Sequence, residues 1–315
     1  MPKPTALFLL FCALASLGAC VTAPHQQAFY VSPFNGNSEG YHTLPMHTDT
    51  TRTAVYARIS GYGGKANDLN TDHFGGANAS FYVARHGSWW QSYYGLDGTL
   101  GSYGLGTWQV RDPGTFNFIL YNGPPAPPPP TAGQLNTYTG GYTYGGLGVS
   151  GGVNGVIPMG QGEWRVLGIE TAVHRELGDY WRLRRNLPDS VASYIVRNAF
   201  FGTAGLTTEW IFRTSTGDFG FRLAGGWTLG NNYQHPGVYD SLNESRLHYG
   251  GYGSFIAHYT LGRYTLYYLS ERAAKGWSLQ AGVIFRFDHP RLPAKKRIYH
   301  ERPPLPPRPR LPFGL

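Results

Sequence analysis

Residues 218–229 read Asp-Phe-Gly-Phe-Arg-Leu-Ala-Gly-Gly-Trp-Thr-Leu. Phe219, Phe221, Leu223, Gly225, Trp227 and Leu229 fall on one parity, and Gly220, Arg222, Ala224, Gly226 and Thr228 on the other. A period of two sends the two sets to opposite faces of a strand. Residues 277–287 repeat the pattern, with Trp277, Leu279, Ala281, Val283, Phe285 and Phe287 alternating with Ser278, Gln280, Gly282, Ile284 and Arg286. Each run has about the length that crosses a bilayer as a tilted strand, roughly 9–11 residues.

Working outward, ten segments of this kind appear, near 53–62, 74–86, 89–102, 140–155, 162–177, 203–215, 218–230, 247–261, 263–271 and 277–287. The connections after the second, fourth, sixth and eighth are short: His86-Gly87-Ser88, the region of Pro158-Met159-Gly160, Ser215-Thr216-Gly217 and Leu261-Gly262-Arg263. Most of the others are long, near 63–73, 103–139, 178–202 and 231–246, with 272–276 the exception. Short turns at one end, longer loops at the other and an even strand number are the pattern of an outer-membrane barrel. A soluble sandwich has no reason to sort its loops by length. The expected fold is therefore all-β, an antiparallel transmembrane β-barrel of about ten strands. Eight or twelve follow if a hairpin around Trp108 to Tyr121 is divided differently.

Composition agrees. Only 14% of residues are charged, 44 are Gly and 23 are Tyr, while mean hydropathy is negative. No stretch after residue 20 has 18 consecutive apolar residues, which excludes a spanning helix. Of the net charge of +8, five units lie in 288–315, where seven Lys or Arg face Asp288 and Glu301. The remainder is near balance, so no basic face for nucleic acid is expected.

The amino terminus carries Lys3, an apolar run from Ala6 to Ala15, and Leu17-Gly18-Ala19-Cys20. This resembles the bacterial lipoprotein box and predicts a signal peptide over 1–19 with lipidation at Cys20. Cys12 is the only other cysteine and leaves with the signal peptide, so no disulfide is available to the mature chain. Residues 20–50 are polar and aperiodic and read as a lipidated flexible tether. The barrel is expected over 51–287, with one short loop helix from Pro188-Asp189-Ser190 through Asn198. Residues 288–315 form a basic, proline-rich tail. An even strand count would put both termini in the periplasm.

The last strand carries Gln280, Gly282, Phe285 and Phe287, a spacing that resembles the C-terminal signal read by the barrel-assembly machinery, although 28 residues follow it here. Together the lipoprotein box, the strand pattern and the closing strand resemble the outer-membrane β-barrel lipoproteins of Bacteroidetes-type bacteria. That resemblance implies a lipid-anchored outer-membrane protein and no single activity.

By strand parity the inward face holds Arg58, Asp97, Glu170, His174, Glu209, Arg213, Arg222, His258 and Arg286. Charges in a narrow bore must pair, which predicts an internal ion-pair network in a plugged lumen. The expected function is a structural or surface-interaction barrel. The alternatives are a narrow small-solute channel and a lipid-modifying enzyme. Outer-membrane lipid A deacylases and acyltransferases use His, Ser and a carboxylate, for which His258, Thr260 and Glu271 are the weak counterparts here. No metal set, phosphate loop or other cofactor motif is found; His42 and His47 lack ligand spacing. The expected partners are outer-membrane lipid, the assembly machinery and, for the tail, anionic headgroups or the cell-wall layer. The aromatics Trp89, Trp90, Tyr93, Tyr94, Trp181, Trp210, Trp227, Tyr267 and Tyr268 suit interfacial girdles.

Overall fold

In a computed structural model of the chain, the described residues are 29–34, 40–49, 52–66, 72–106, 137–160, 162–188, 194–230, 233–234, 250–273 and 276–288. The expected signal peptide over 1–19, Cys20, the proline run at 124–130 and the tail beyond 288 lie outside them.

Among the described residues, thirteen strands and one helix follow in order: β1 (Phe29–Tyr30), β2 (Thr53–Lys65), β3 (His73–His86), β4 (Trp90–Leu105), β5 (Gly140–Met159), β6 (Gly162–Leu177), α1 (Asp179–Asn186), β7 (Tyr194–Val196), β8 (Phe200–Arg213), β9 (Asp218–Leu229), β10 (Tyr233–Gln234), β11 (Gly250–Leu261), β12 (Tyr264–Ala273) and β13 (Trp277–Arg286). Ten of them close a barrel in the order β11-β12-β13-β2-β3-β4-β5-β6-β8-β9. Every neighbouring pair is antiparallel, and β13 closes the ring on β2 through registers such as Ile284 opposite Arg58. Closure leaves no unpaired sheet edge. This is the expected ten-strand fold.

The alternation in 218–229 is realised as written. Gly220, Arg222, Ala224 and Thr228 are buried, while Phe219, Trp227 and Leu229 are exposed. Around the ring, Ile59, Phe81, Leu96, Val149, Ile169, Leu206, Phe255 and Leu266 also face outward and exposed. An apolar belt on the outside and a polar interior is the surface of a barrel that spans a bilayer. No described helix is long and apolar enough to cross one. The aromatic pairs divide by parity. Tyr94 and Tyr268 face out, but Tyr93 and Tyr267 are buried in the lumen and serve no girdle.

One end of the barrel carries the tight connections at 87–89, 160–161, 214–217 and 262–263. The other carries the long ones and a cap. In the cap, β1 pairs in parallel with β7, and β10 pairs antiparallel with β7. Helix α1 lies there too, ahead of the helix expected over 188–198; of that span, 194–196 are strand β7 and 189–193 lie outside the described residues. Asp179 occupies the first turn and Arg184 and Arg185 the last, matching the helix dipole. Pro188 stands just past the end of this helix: the residue before it, Leu187, is forced into extended backbone at φ −62°, ψ 132°. Tyr180 and Arg184, one turn apart, face the barrel and are fully buried.

A correction concerns the tether. Tyr30, Val31, Ser32 and Phe34 are buried, as are Gly40 through Met46 and Asp49. This segment lacks strand periodicity because its surroundings are not layered. Its described residues up to Met46 are enclosed by the barrel wall and the cap.

Candidate functional site

The site is the lumen, and the amino-terminal segment occupies it. Tyr41 shows this most clearly. Its hydroxyl donates to Glu209 Oε1 on β8 at 2.6 Å, and its carbonyl accepts from Arg58 Nη1 on β2 at 3.0 Å. Its ring stacks on His258 of β11 with centroids 4.7 Å apart and leans on Tyr267 of β12. In the closed ring β2 and β8 stand five places apart in either direction. One residue that touches both lies on the barrel axis.

The path can be followed residue by residue. At the long-loop end, Ser32 donates to Glu176 Oε2 (2.7 Å), near the last residue of β6. Phe34 packs edge-on to Tyr144 of β5 and parallel to His174 of β6. Gly146 and Gly148 face this contact. A methyl group on the first would strike the Phe34 ring, and on the second the His174 ring. Gly40 sits at φ +77°, where an added Cβ would also meet Gln280 at 2.7 Å. His42 stacks on Tyr93 of β4, ring centroids 4.5 Å apart. At the short-turn end, Gln91 on β4 reaches Pro45, Arg213 on β8 reaches the Met46 sulfur, and Glu163 on β6 accepts from the His47 amide. Asp49 pairs with Arg286, the last residue of β13, at 2.7 Å. The chain then pairs into β2, with the Arg52 carbonyl accepting from His86.

A buried segment outside any sheet must still satisfy its backbone. Here wall side chains do so: the carbonyls of Tyr41, Thr43, Leu44 and Pro45 accept from Arg58, Tyr82, Arg165 and Gln91, on β2, β3, β6 and β4. Each contact fixes the height of one plug residue, so the segment has a defined register in the bore.

Arg58, Asp97, Glu170, Arg222 and Glu209 make buried ion pairs, in clusters that include residues parity did not select. Arg58 binds Asp97 (3.1 Å) and Asn78 (2.6 Å), and Ser150 donates to the other oxygen of Asp97 (2.6 Å). Arg222 pairs with Glu170. Glu209 pairs with Arg165 (2.6 Å), and His258 Nε2 lies 2.9 Å from its other oxygen. Arg165 also binds Glu163 (2.9 Å). Arg213 stands apart, half-exposed beside Asp218 at the rim. Glu163 and Arg165 escaped notice because β6 bulges between Arg165 and Gly168. The extra residue flips parity, so odd positions face inward below the bulge and even positions above it. His42, Tyr41 and Asp49 were missed because they arrive on a segment with no strand pattern.

The cap has its own pair. Arg184 binds Glu176 and donates to the Val196 carbonyl (2.7 Å), and Tyr180 stacks on Tyr103 at 3.7 Å. Burial holds the Tyr180 hydroxyl well above the usual phenol range, so it stays neutral.

The three residues considered for an acyl-transfer triad are not brought together. His258 lies opposite Tyr267, whereas Glu271 lies opposite Ser254, four rows away. Thr260 bonds Thr265 across the strand pair (2.8 Å) and makes no contact with His258 among the described bonds. Gln280 and Gly282 face inward on β13, with Gln280 donating to Ser60 (2.6 Å) and Phe287 exposed at the rim. No metal-binding group is found among the described residues.

No protein-family model matches the chain, and no curated protein matches it. Among solved structures it is similar to the β-domain of the Bordetella autotransporter BrkA, at 12% identity and TM-score 0.36, over 75% of this chain and 100% of that one. The translocator domain of the autotransporter NalP from Neisseria meningitidis follows at 11% and 0.33, over 76% and 90%. An outer membrane channel from Pseudomonas putida F1 stands at 7% and 0.32, over 78% and 100%. The barrel described above rests on its own strand pairing.

Proposed function

We propose that this chain is an outer-membrane β-barrel lipoprotein that closes its own lumen with its amino-terminal segment and works as a structural or surface-interaction protein. The observation that carries this reading is Tyr41, held between opposite walls by Glu209 and Arg58. A segment fixed at that many heights leaves the bore to its own side chains, and the working surface is then the capped long-loop face. The belt of outward apolar residues and the separation of short turns from long loops support the outer membrane, with the short turns toward the periplasm. Lipid anchoring rests on Leu17-Gly18-Ala19-Cys20. The separation of His258 from Glu271 favours this reading over the lipid-modifying enzyme.

Planar-bilayer recording tests the reading. The full chain should give no stepwise current. The triple variant Tyr41→Gly/His42→Gly/Leu44→Gly, which keeps the barrel wall intact, should give transient openings. A steady current from the unaltered chain would assign it to the channels instead.

A further inference from the structure

The direction in which the plug runs has a topological consequence. Its earliest described residues, Phe29 and Tyr30, are strand β1 in the cap, at the long-loop end. Its last, Asp49, is tied to Arg286 at the short-turn end. The chain therefore descends through the lumen once before β2 climbs the wall. The other described end leaves the barrel at the opposite face from β1, since Phe287 donates its amide to Val55 at the foot of β2. The expectation of both termini on one side concerns residues outside the described ones; the first and last described residues lie at opposite ends of the barrel.

We infer that the chain enters the lumen from the long-loop face, so that the barrel presents β1 on the outer side of the membrane. This rests on the proposed orientation, with short turns in the periplasm. The ordered cap favours this path: Tyr30, Val31 and Phe34 are all buried among Tyr103, Tyr144, Ile195 and Phe201. The segment is gripped on the long-loop side, not passed loosely through it.

Cysteine reporters labelled with a membrane-impermeant maleimide on intact cells test the inference. Gln26→Cys reports the amino-terminal segment, and Ser215→Cys reports the exposed short turn between β8 and β9. The unaltered chain supplies the background from Cys12 and Cys20, and an unlabelled soluble periplasmic protein shows that the cells are intact. The expected result is full labelling of Gln26→Cys in intact cells, with no gain on permeabilisation, and labelling of Ser215→Cys only after permeabilisation. Protection of Gln26→Cys until the outer membrane is opened would overturn the inference. If that protection coincided with a closed lumen in bilayer recordings, the plug reading would stand and only the side of emergence would fall.

Discussion

Glu209 is met from three directions: it accepts from Arg165 on the neighbouring strand and from the Tyr41 hydroxyl of the plug, and His258 Nε2 lies beside it from across β9. A buried carboxylate is tolerable only when its oxygens are filled in this way, and removing one partner of such a pair costs far more than the pair contributes. Glu209→Gln keeps the shape and removes the charge, leaving Arg165 with Glu163 alone. It should lower stability by about 3 kcal/mol, read as a lower urea midpoint in micelles. Arg213→Ala, at a half-exposed rim pair with Asp218, should cost less than about 1 kcal/mol. Equal losses for the two would mean that Glu209 is not the buried junction described. Strand parity made Glu209, Arg58, Asp97, Glu170 and Arg222 legible in the sequence, because a period of two is enough to say which way a side chain points. It could not make Arg165 legible, because one extra residue in β6 reverses the parity on which the reading depends.

Elements were legible wherever they form part of the wall. The ten runs of alternation correspond to the ten barrel strands, since lipid on one side and polar groups on the other impose the same pattern on each. The sequence does not mark helix α1, because Pro188 fits either the first turn of a helix or the residue after its end; the extended backbone at Leu187 and the burial of Tyr180 and Arg184 show that it follows one. The short strands β1, β7 and β10 were not foreseen; two or three residues carry no periodicity. The outward face makes its own prediction. Leu96 lies at mid-strand on β4, opposite Phe81 and Val149, all three exposed. Leu96→Arg should cost about 2–4 kcal/mol when the barrel refolds into bilayers, as for a cation near the midplane. A substitution as mild as an exposed surface change would contradict a lipid-facing belt.

At the scale of the whole molecule, the sequence shows a wall and a polar leader, but not that the leader fills the wall. Residues 40–49 look like a tether because their neighbours are distant in sequence: Tyr41 and Glu209 are 168 residues apart, and Asp49 and Arg286 are 237 apart. Such partners leave no local pattern. Once closed, however, the ring dictates the outcome, since its inward Arg58, Arg165, Gln91 and Tyr82 need acceptors that the plug backbone supplies. The central claim is that this segment lies on the barrel axis. It is tested most directly by proton–proton distances in the micelle-embedded full chain, selectively labelled at Tyr and His. Cross-relaxation between the Tyr41 and His258 rings, and between the His42 and Tyr93 rings, is the predicted result, given centroids 4.7 and 4.5 Å apart. Sharp, unshifted Tyr41 and His42 signals with no contact to either wall would contradict it.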